Sequence, residues 1–148
     1  MSKTFVMLKP DALERHLEKN IIDAFIHEGY EILRQKRMTV NKDIILSHYE
    51  DVIKRLDLEY FADAIIDAFA GKDVIVMELK HSKKDAVHMI RELIGATDPS
   101  KAHKESIRGK YGIDSFELAS KEKRMIHNLI HASDSDESYQ KEVTLWFE

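Results

Sequence analysis

A chain of 148 residues, 43% hydrophobic and 34% charged, is long enough for one compact domain with a single core and too rich in core-forming residues to be disordered. It contains no cysteine, which excludes disulfides, thiolate metal sites and cysteine nucleophiles together. The formal net charge of -4 argues against a nucleic-acid-binding role, which leaves a basic footprint over a whole domain, so any anion site has to be local.

The N-terminal stretch MSKTFVMLKPD holds only four apolar residues between its charges, too few for a signal h-region, and no later run reaches the length of a membrane span. A cytoplasmic protein with no membrane partner is the expectation. Lys3 to Leu8 reads as a strand ended by Lys9-Pro10-Asp11, because proline cannot continue a ladder. Ile21, Ile22, Phe25 and Ile26 then fall on one helical face, closed by Gly29. Tyr30 to Val40 alternates with period two and predicts a half-buried strand. Ile45, His48, Tyr49, Val52, Ile53 and Leu56 repeat at helical spacing, and Phe61, Ile65, Ala68 and Phe69 do so again before Gly71.

Val74 to Leu79 is an almost unbroken apolar run and predicts a central strand covered on both faces. Ser82 followed by Asp85 matches a capping pattern for a helix that runs through Ala86, Ile90, Leu93 and Ile94 to Gly95. From Thr97 to about Ser115 the chain is polar without periodicity, a candidate functional loop. A short helix over Leu118 to Ile126, a strand over Asn128 to Ile130 and a last helix with Tyr139, Val143, Trp146 and Phe147 on one face complete the order. That order suits a single α+β domain over residues 1–148, a ferredoxin-like βαββαβ sandwich with a mainly antiparallel sheet covered by helices.

The candidate chemistry gathers late in the chain. His131 follows an apolar strand and precedes Asp134 and Ser135, which can cap a helix beginning near Asp136, so helix-terminal donors lie close to an imidazole. Position alone leaves two readings, a packed structural histidine and a reactive one. His127 and His131 have the spacing of zinc ligands on a helix, but a strand between them breaks the shared face and no glutamate follows His127. Lys9, Arg91, Thr97 and Arg108 stand at the ends of elements. Singly each is an ordinary surface group; together they form a candidate phosphate site.

TFVMLKPDALER, HYEDV, RELIGATDP, SIRGKYG and NLIHASDSDES, in that order and followed by EVTLWF, closely resemble the nucleoside diphosphate kinase family over Thr4 to Phe147. The resemblance implies a ping-pong transfer of the terminal phosphate of a nucleoside triphosphate to a nucleoside diphosphate through a phosphohistidine at His131. By the same resemblance Glu142 orients that histidine and Ser133 stands beside it. Lys9 matches the lysine on the transferred phosphate, Tyr49 the tyrosine whose hydroxyl lies near it, and Arg91, Thr97 and Arg108 the phosphate clamp. Asn128 matches the asparagine at the sugar hydroxyl, and Tyr60, with Phe61 adjacent, the aromatic that stacks on the base. Mg2+ is expected to arrive with the nucleotide, without a dedicated protein metal site.

Four departures from the family pattern stand out. Alanine replaces the commoner glycine at Ala12 and Ala132, Lys110 stands where aspartate is usual, and the Arg55–Glu59 stretch is longer than usual. The segment between Arg108 and Asn128 carries roughly ten extra residues relative to shorter members. A homo-oligomer is implied, the hexamer favoured over a tetramer or dimer. The alternative activity is a catalytically inert nucleotide- or phosphate-binding module of the same fold.

Overall fold

A computed structural model describes residues 1–148. Four strands form one antiparallel sheet in the order β2-β3-β1-β4, with β1 at Ser2–Leu8, β2 at Glu31–Thr39, β3 at Asp73–His81 and β4 at Ile130–Ala132. This is the ferredoxin-like order. The apolar run of β1 explains its place: paired on both edges and covered on both faces, it can bury Thr4 to Leu8 without exposing a backbone donor.

Side-chain alternation along β1 and β3 divides the core in two. Val6, Leu8, Met77 and Leu79 face α2 (Glu18–His27) and α6 (Ala86–Ile94), while Phe5, Met7, Val74 and Val76 face α3 (Lys42–His48), α5 (Phe61–Phe69) and α9 (Asp136–Phe147). The remaining helices are short: α1 (Pro10–Glu14), α4 (Glu50–Leu56), α7 (Ile107–Tyr111) and α8 (Phe116–Lys121).

Pro10 ends β1 and at once opens α1, because a first-turn helical residue has no need of its missing N–H. The single helical pattern over Ile45–Leu56 is broken into α3 and α4 at Tyr49. The β2 strand is mostly exposed rather than half-buried, since it is an outer strand with little helix over it. Ile26 is also exposed, although Ile21 and Phe25 of the same helix are buried. No Ser82 or Asp85 side chain caps α6; its first amide, of Ala86, donates to Ser2 Oγ at 2.8 Å, a cap supplied from β1.

The polar stretch from Thr97 is ordered by Asp98. Its carboxylate accepts from the Ser100 amide at 2.9 Å, the Ser100 hydroxyl at 2.6 Å and the Phe116 amide at 3.2 Å, holding a short 3-10 helix at Pro99–Lys101 and the start of α8. The α8 helix ends at Lys121, short of the predicted Ile126, and buried Met125 and Ile126 lie in extended chain beyond it.

Asp114 closes this segment from the other side, accepting two bonds from Arg124 at 2.6 and 2.9 Å and one from the His127 amide at 2.8 Å. Burial acts to raise its pKa, but the Arg124 and backbone hydrogen bonds prevail and hold it at about 2. Because the folded value lies below the unfolded one, the stabilisation is present above about pH 4 and is lost as pH falls toward 2, an effect on the order of 2 kcal/mol. Asp114→Asn is expected to cost about 2 kcal/mol at pH 7 and much less near pH 2 in urea unfolding. An equal cost at both pH values would contradict this.

Candidate active site

The pivot of the site is a shift in β4. The sequence pattern predicts a strand over Asn128–Ile130, whereas the strand is Ile130–Ala132, because Leu129 takes a left-handed backbone with φ 73°. That conformation costs a non-glycine residue roughly 1–2 kcal/mol. The Leu129 amide is received by the Asp11 carboxylate at 3.0 Å, and its carbonyl accepts from the Lys9 amide at 2.8 Å. The chain is thereby turned so that His131 lies within the strand opposite Met7, on the face toward α3 and α9.

His131 Nε2 lies 2.9 Å from Glu142 Oε1 on α9, and the buried Ser133 hydroxyl donates to the same oxygen at 2.5 Å. A carboxylate oxygen accepts, so Nε2 carries the proton and Nδ1 keeps its lone pair. Nδ1 has no hydrogen-bond partner in the chain. Burial, then the charges of Lys9, Arg108 and Arg91, lower the His131 pKa to about 3. The contact with Glu142 is therefore a hydrogen bond from a neutral ring rather than an ion pair. Burial also raises the pKa of Glu142, against the Ser133 hydrogen bond that favours its charged form.

The cationic side of the site is held by neutral acceptors. Lys9 Nζ donates to Asn128 Oδ1 at 2.6 Å, and Asn128 Nδ2 donates to the Thr97 carbonyl at 2.9 Å. Buried Arg108 on α7 donates to three carbonyls, those of Gly95 at 3.1 Å, Asn128 at 3.1 Å and Ile130 at 2.5 Å. Arg91 on α6 donates to the Ala132 carbonyl at 2.9 Å. Gly95 is required here: its φ is 97°, and a Cβ would stand 2.4 Å from the Ser106 hydroxyl oxygen.

None of these three cations has a carboxylate partner within salt-bridge distance. Burial first, then Arg108, lowers the Lys9 pKa to about 7, and burial with Arg91 lowers that of Arg108 to about 10. An arriving anion relieves both.

Lys9, Arg91, Thr97, Arg108, Asn128, His131 and Glu142 border one cavity of about 590 Å³, which Tyr49, Tyr60, Phe61 and Met125 also line. Ser133 sits fully buried behind Glu142. The Tyr49 hydroxyl is buried without a partner, and burial raises its pKa, so it remains a protonated donor.

His48 has a larger place than its helical spacing indicates. Its ring stands 4.4 Å from that of His131, centroid to centroid, and nearly perpendicular at 79°. Trp146 Nε1 donates to His48 Nδ1 at 2.9 Å, which puts the His48 proton on Nε2. Burial and then His131 lower its pKa, keeping it neutral. Candidate ligand atoms of His48, His131 and Glu142 lie within 4.8 Å of one another. His131 commits its Nε2–H to Glu142 and His48 commits its Nδ1 lone pair to Trp146, which leaves the His48 Nε2–H buried without a partner. The His127–His131 pair does not converge, as His127 borders a separate cavity of about 200 Å³ with Pro10 and Glu14. The sequence carries only one hint of His48, its position directly before Tyr49.

No helix is long and apolar enough to cross a membrane. A model of the family described as nucleoside diphosphate kinase matches residues 2–148. The nucleoside diphosphate kinase of Methanothermobacter thermautotrophicus is 34% identical over 148 residues, covering 100% of this chain and 88% of its own. That of Pyrococcus furiosus is 35% identical, covering 99% of this chain and 83% of its own.

Among solved structures, the nucleoside-diphosphate kinase of Borrelia burgdorferi, a transition state mimic with bound vanadate and ADP, superposes with a TM-score of 0.92 at 26% identity. It covers 99% of this chain, which spans 87% of the Borrelia chain. The NDP kinase from Pyrobaculum aerophilum superposes with a TM-score of 0.87 at 29% identity, covering 99% and 95%. The chain belongs to the nucleoside diphosphate kinase family and is a phosphotransferase.

Proposed function

We propose that His131 Nδ1 is the atom that accepts and returns the phosphoryl group. The observation that carries this is the fixed tautomer: Nε2–H is anchored on Glu142 while Nδ1, unprotonated and unpartnered, belongs to a ring bordering the cationic cavity. In the first half-reaction the Nδ1 lone pair forms a bond to the terminal phosphorus of a nucleoside triphosphate. The bond from that phosphorus to the bridging oxygen breaks, and the nucleoside diphosphate leaves with the electron pair. A second nucleoside diphosphate attacks the phosphohistidine and reverses the sequence.

No proton need leave the ring, since Nε2–H stays with Glu142, whose carboxylate stabilises the positive charge that builds on the imidazole. Ser133 holds the carboxylate in place. Lys9, Arg91 and Arg108 offset charge on the phosphate oxygens, with Thr97 and the Tyr49 hydroxyl as neutral donors. Asn128, already bonded to Lys9, is placed for a sugar hydroxyl, and Tyr60 offers a face for the base. The donor set fits anions and contains no cage of oxygen ligands for a cation. Mg2+ would arrive with the nucleotide and supply charge neutralisation at its phosphates, and Asp51 and Asp134, which border the same cavity, are the carboxylates that would help to hold it. The same reading includes a homo-oligomer, the hexamer favoured and the tetramer or dimer as alternatives, for which the exposed edge of β2 offers one assembly face.

With ATP labelled on its terminal phosphate, Mg2+ and no acceptor, the chain is expected to take up an acid-labile, alkali-stable label and release it to added GDP or CDP. His131→Ala should fold and take up none; a variant that still turns over normally would refute the assignment. Glu142→Gln is expected to lower kcat by about tenfold to a hundredfold with KM little changed, because it loses a charge-assisted hydrogen bond worth about 1.5–3 kcal/mol. An unchanged kcat would remove Glu142 from the mechanism.

Lys9 supplies a pH test. With its pKa at about 7, it is mostly neutral at pH 8, and a bound phosphate favours the charged form, so binding takes up a proton. Calorimetric titration with ADP at pH 8 in buffers of different ionisation enthalpy should reveal that uptake, and Lys9→Met should abolish it. Equal proton uptake by both proteins would contradict the assignment.

A further inference from the structure

Asn128 and His131 are separated by a single tight turn. The Asn128 carbonyl accepts from the Ile130 amide at 2.8 Å, and Leu129 between them has φ 73°, the γ-turn form that is rare and strained. Such a conformation persists only where its surroundings over-determine it. Four contacts do so. Arg108 holds the carbonyls of Asn128 and Ile130 at 3.1 and 2.5 Å, the Lys9 amide holds that of Leu129 at 2.8 Å, and the Asp11 carboxylate takes the Leu129 amide at 3.0 Å. Leu129 is fully buried, and a buried amide without an acceptor is costly, so the turn depends on that carboxylate.

Arg108 and Lys9 border the main cavity. Asp11 does not; it lines the separate cavity of about 200 Å³ with Glu14 and Arg15. It stands in the first turn of α1, with Lys9 at the N-cap of the same helix. Around Lys9 are one cation, Arg108 of α7, and two rings that burial keeps neutral, His131 of β4 and His48 of α3. Asp11 is the anion in this set, and its charge opposes the burial and the Arg108 repulsion that lower the Lys9 pKa.

We propose that Asp11 is a positioning residue for phosphoryl transfer, holding the turn that aims His131 and lending its charge to Lys9. The two effects are separable. An asparagine at this position retains an oxygen for the Leu129 amide but carries no charge, whereas an alanine retains neither. This rests on the reading that His131 takes up the phosphoryl group.

Rapid-quench labelling from ATP labelled on its terminal phosphate, with Mg2+ and between pH 6 and 9, tests both effects. At saturating ATP and pH 6, Asp11→Ala should take up label about tenfold to a hundredfold more slowly than the wild-type chain, the loss expected of a misplaced nucleophile, and Asp11→Asn should recover most of the rate. At low ATP the labelling rate falls as Lys9 loses its proton at about pH 7. In Asp11→Asn that fall should begin at lower pH, since removing an anion disfavours the ammonium. His131 and His48 stay neutral across this range and ATP ionises alike for both proteins, so neither moves the comparison. A wild-type rate in Asp11→Ala would overturn the proposal, and so would an Asp11→Asn profile that coincides with the wild type. Where Asp11→Ala does not fold, the Asp11→Asn profile decides alone. A wild-type chain that takes up no label overturns the reading of His131 and this proposal with it, whereas normal wild-type labelling with unaltered variants fails at Asp11 alone.

Discussion

The site depends on positive charge that is buried and left unneutralised. Arg108 satisfies its hydrogen-bonding needs on the carbonyls of Gly95, Asn128 and Ile130, which accept its protons without cancelling its charge. Three backbone segments are tied by one guanidinium, so the geometry of the turn before β4, the end of α6 and the start of α7 is shared. A carboxylate paired with this guanidinium would instead cancel the charge that a phosphate needs. Lys9, resting on a neutral asparagine, follows the same logic.

This arrangement governs the histidine as well. The cations that attract a phosphate also repel a proton from His131, and burial adds to the effect. The ring is thus a lone-pair donor at neutral pH without a separate base to deprotonate it. In the proposed mechanism Glu142 would then stabilise the positive charge that the ring acquires when phosphorus is bound. On the far side, His48 closes the ring's surroundings with an edge that is itself neutral and is fixed by Trp146. Orientation comes from packing and hydrogen bonds, while reactivity comes from electrostatics, and the two are supplied by different residues.

Much of this was legible in the sequence because it is local. The apolar runs of β1 and β3, the helical spacing of α5 and α6, and the motif carrying His131 all occupy short windows, and the family resemblance singled out ten candidate residues that the folded chain gathers around one cavity or, for Ser133, against Glu142 at its edge. The discrepancies arise where distant residues decide. Leu129 shifts β4 because Asp11 receives its amide; Ser2 rather than Ser82 caps α6; Asp98 orders a stretch that lacks periodicity. His48 was hidden for a related reason: within its helix it looks like one more core position, and only the proximity of α9 and β4 gives it a role.

The central placement of β1 has a consequence for how the protein comes into being. Lys9 meets Asn128 across 119 positions of the chain, and Asp11 meets Leu129 across 118. The first strand to be synthesised must therefore wait for the last before its own turn is fixed, and such long-range closures slow folding. A growing chain that has completed β3 and α6 already possesses Lys9 and Arg91, yet lacks the imidazole and the carboxylate that orients it. If His131 reacts as proposed, a chain without β4 and α9 would have neither the nucleophile nor the carboxylate that orients it, and would hold cations with nothing to react.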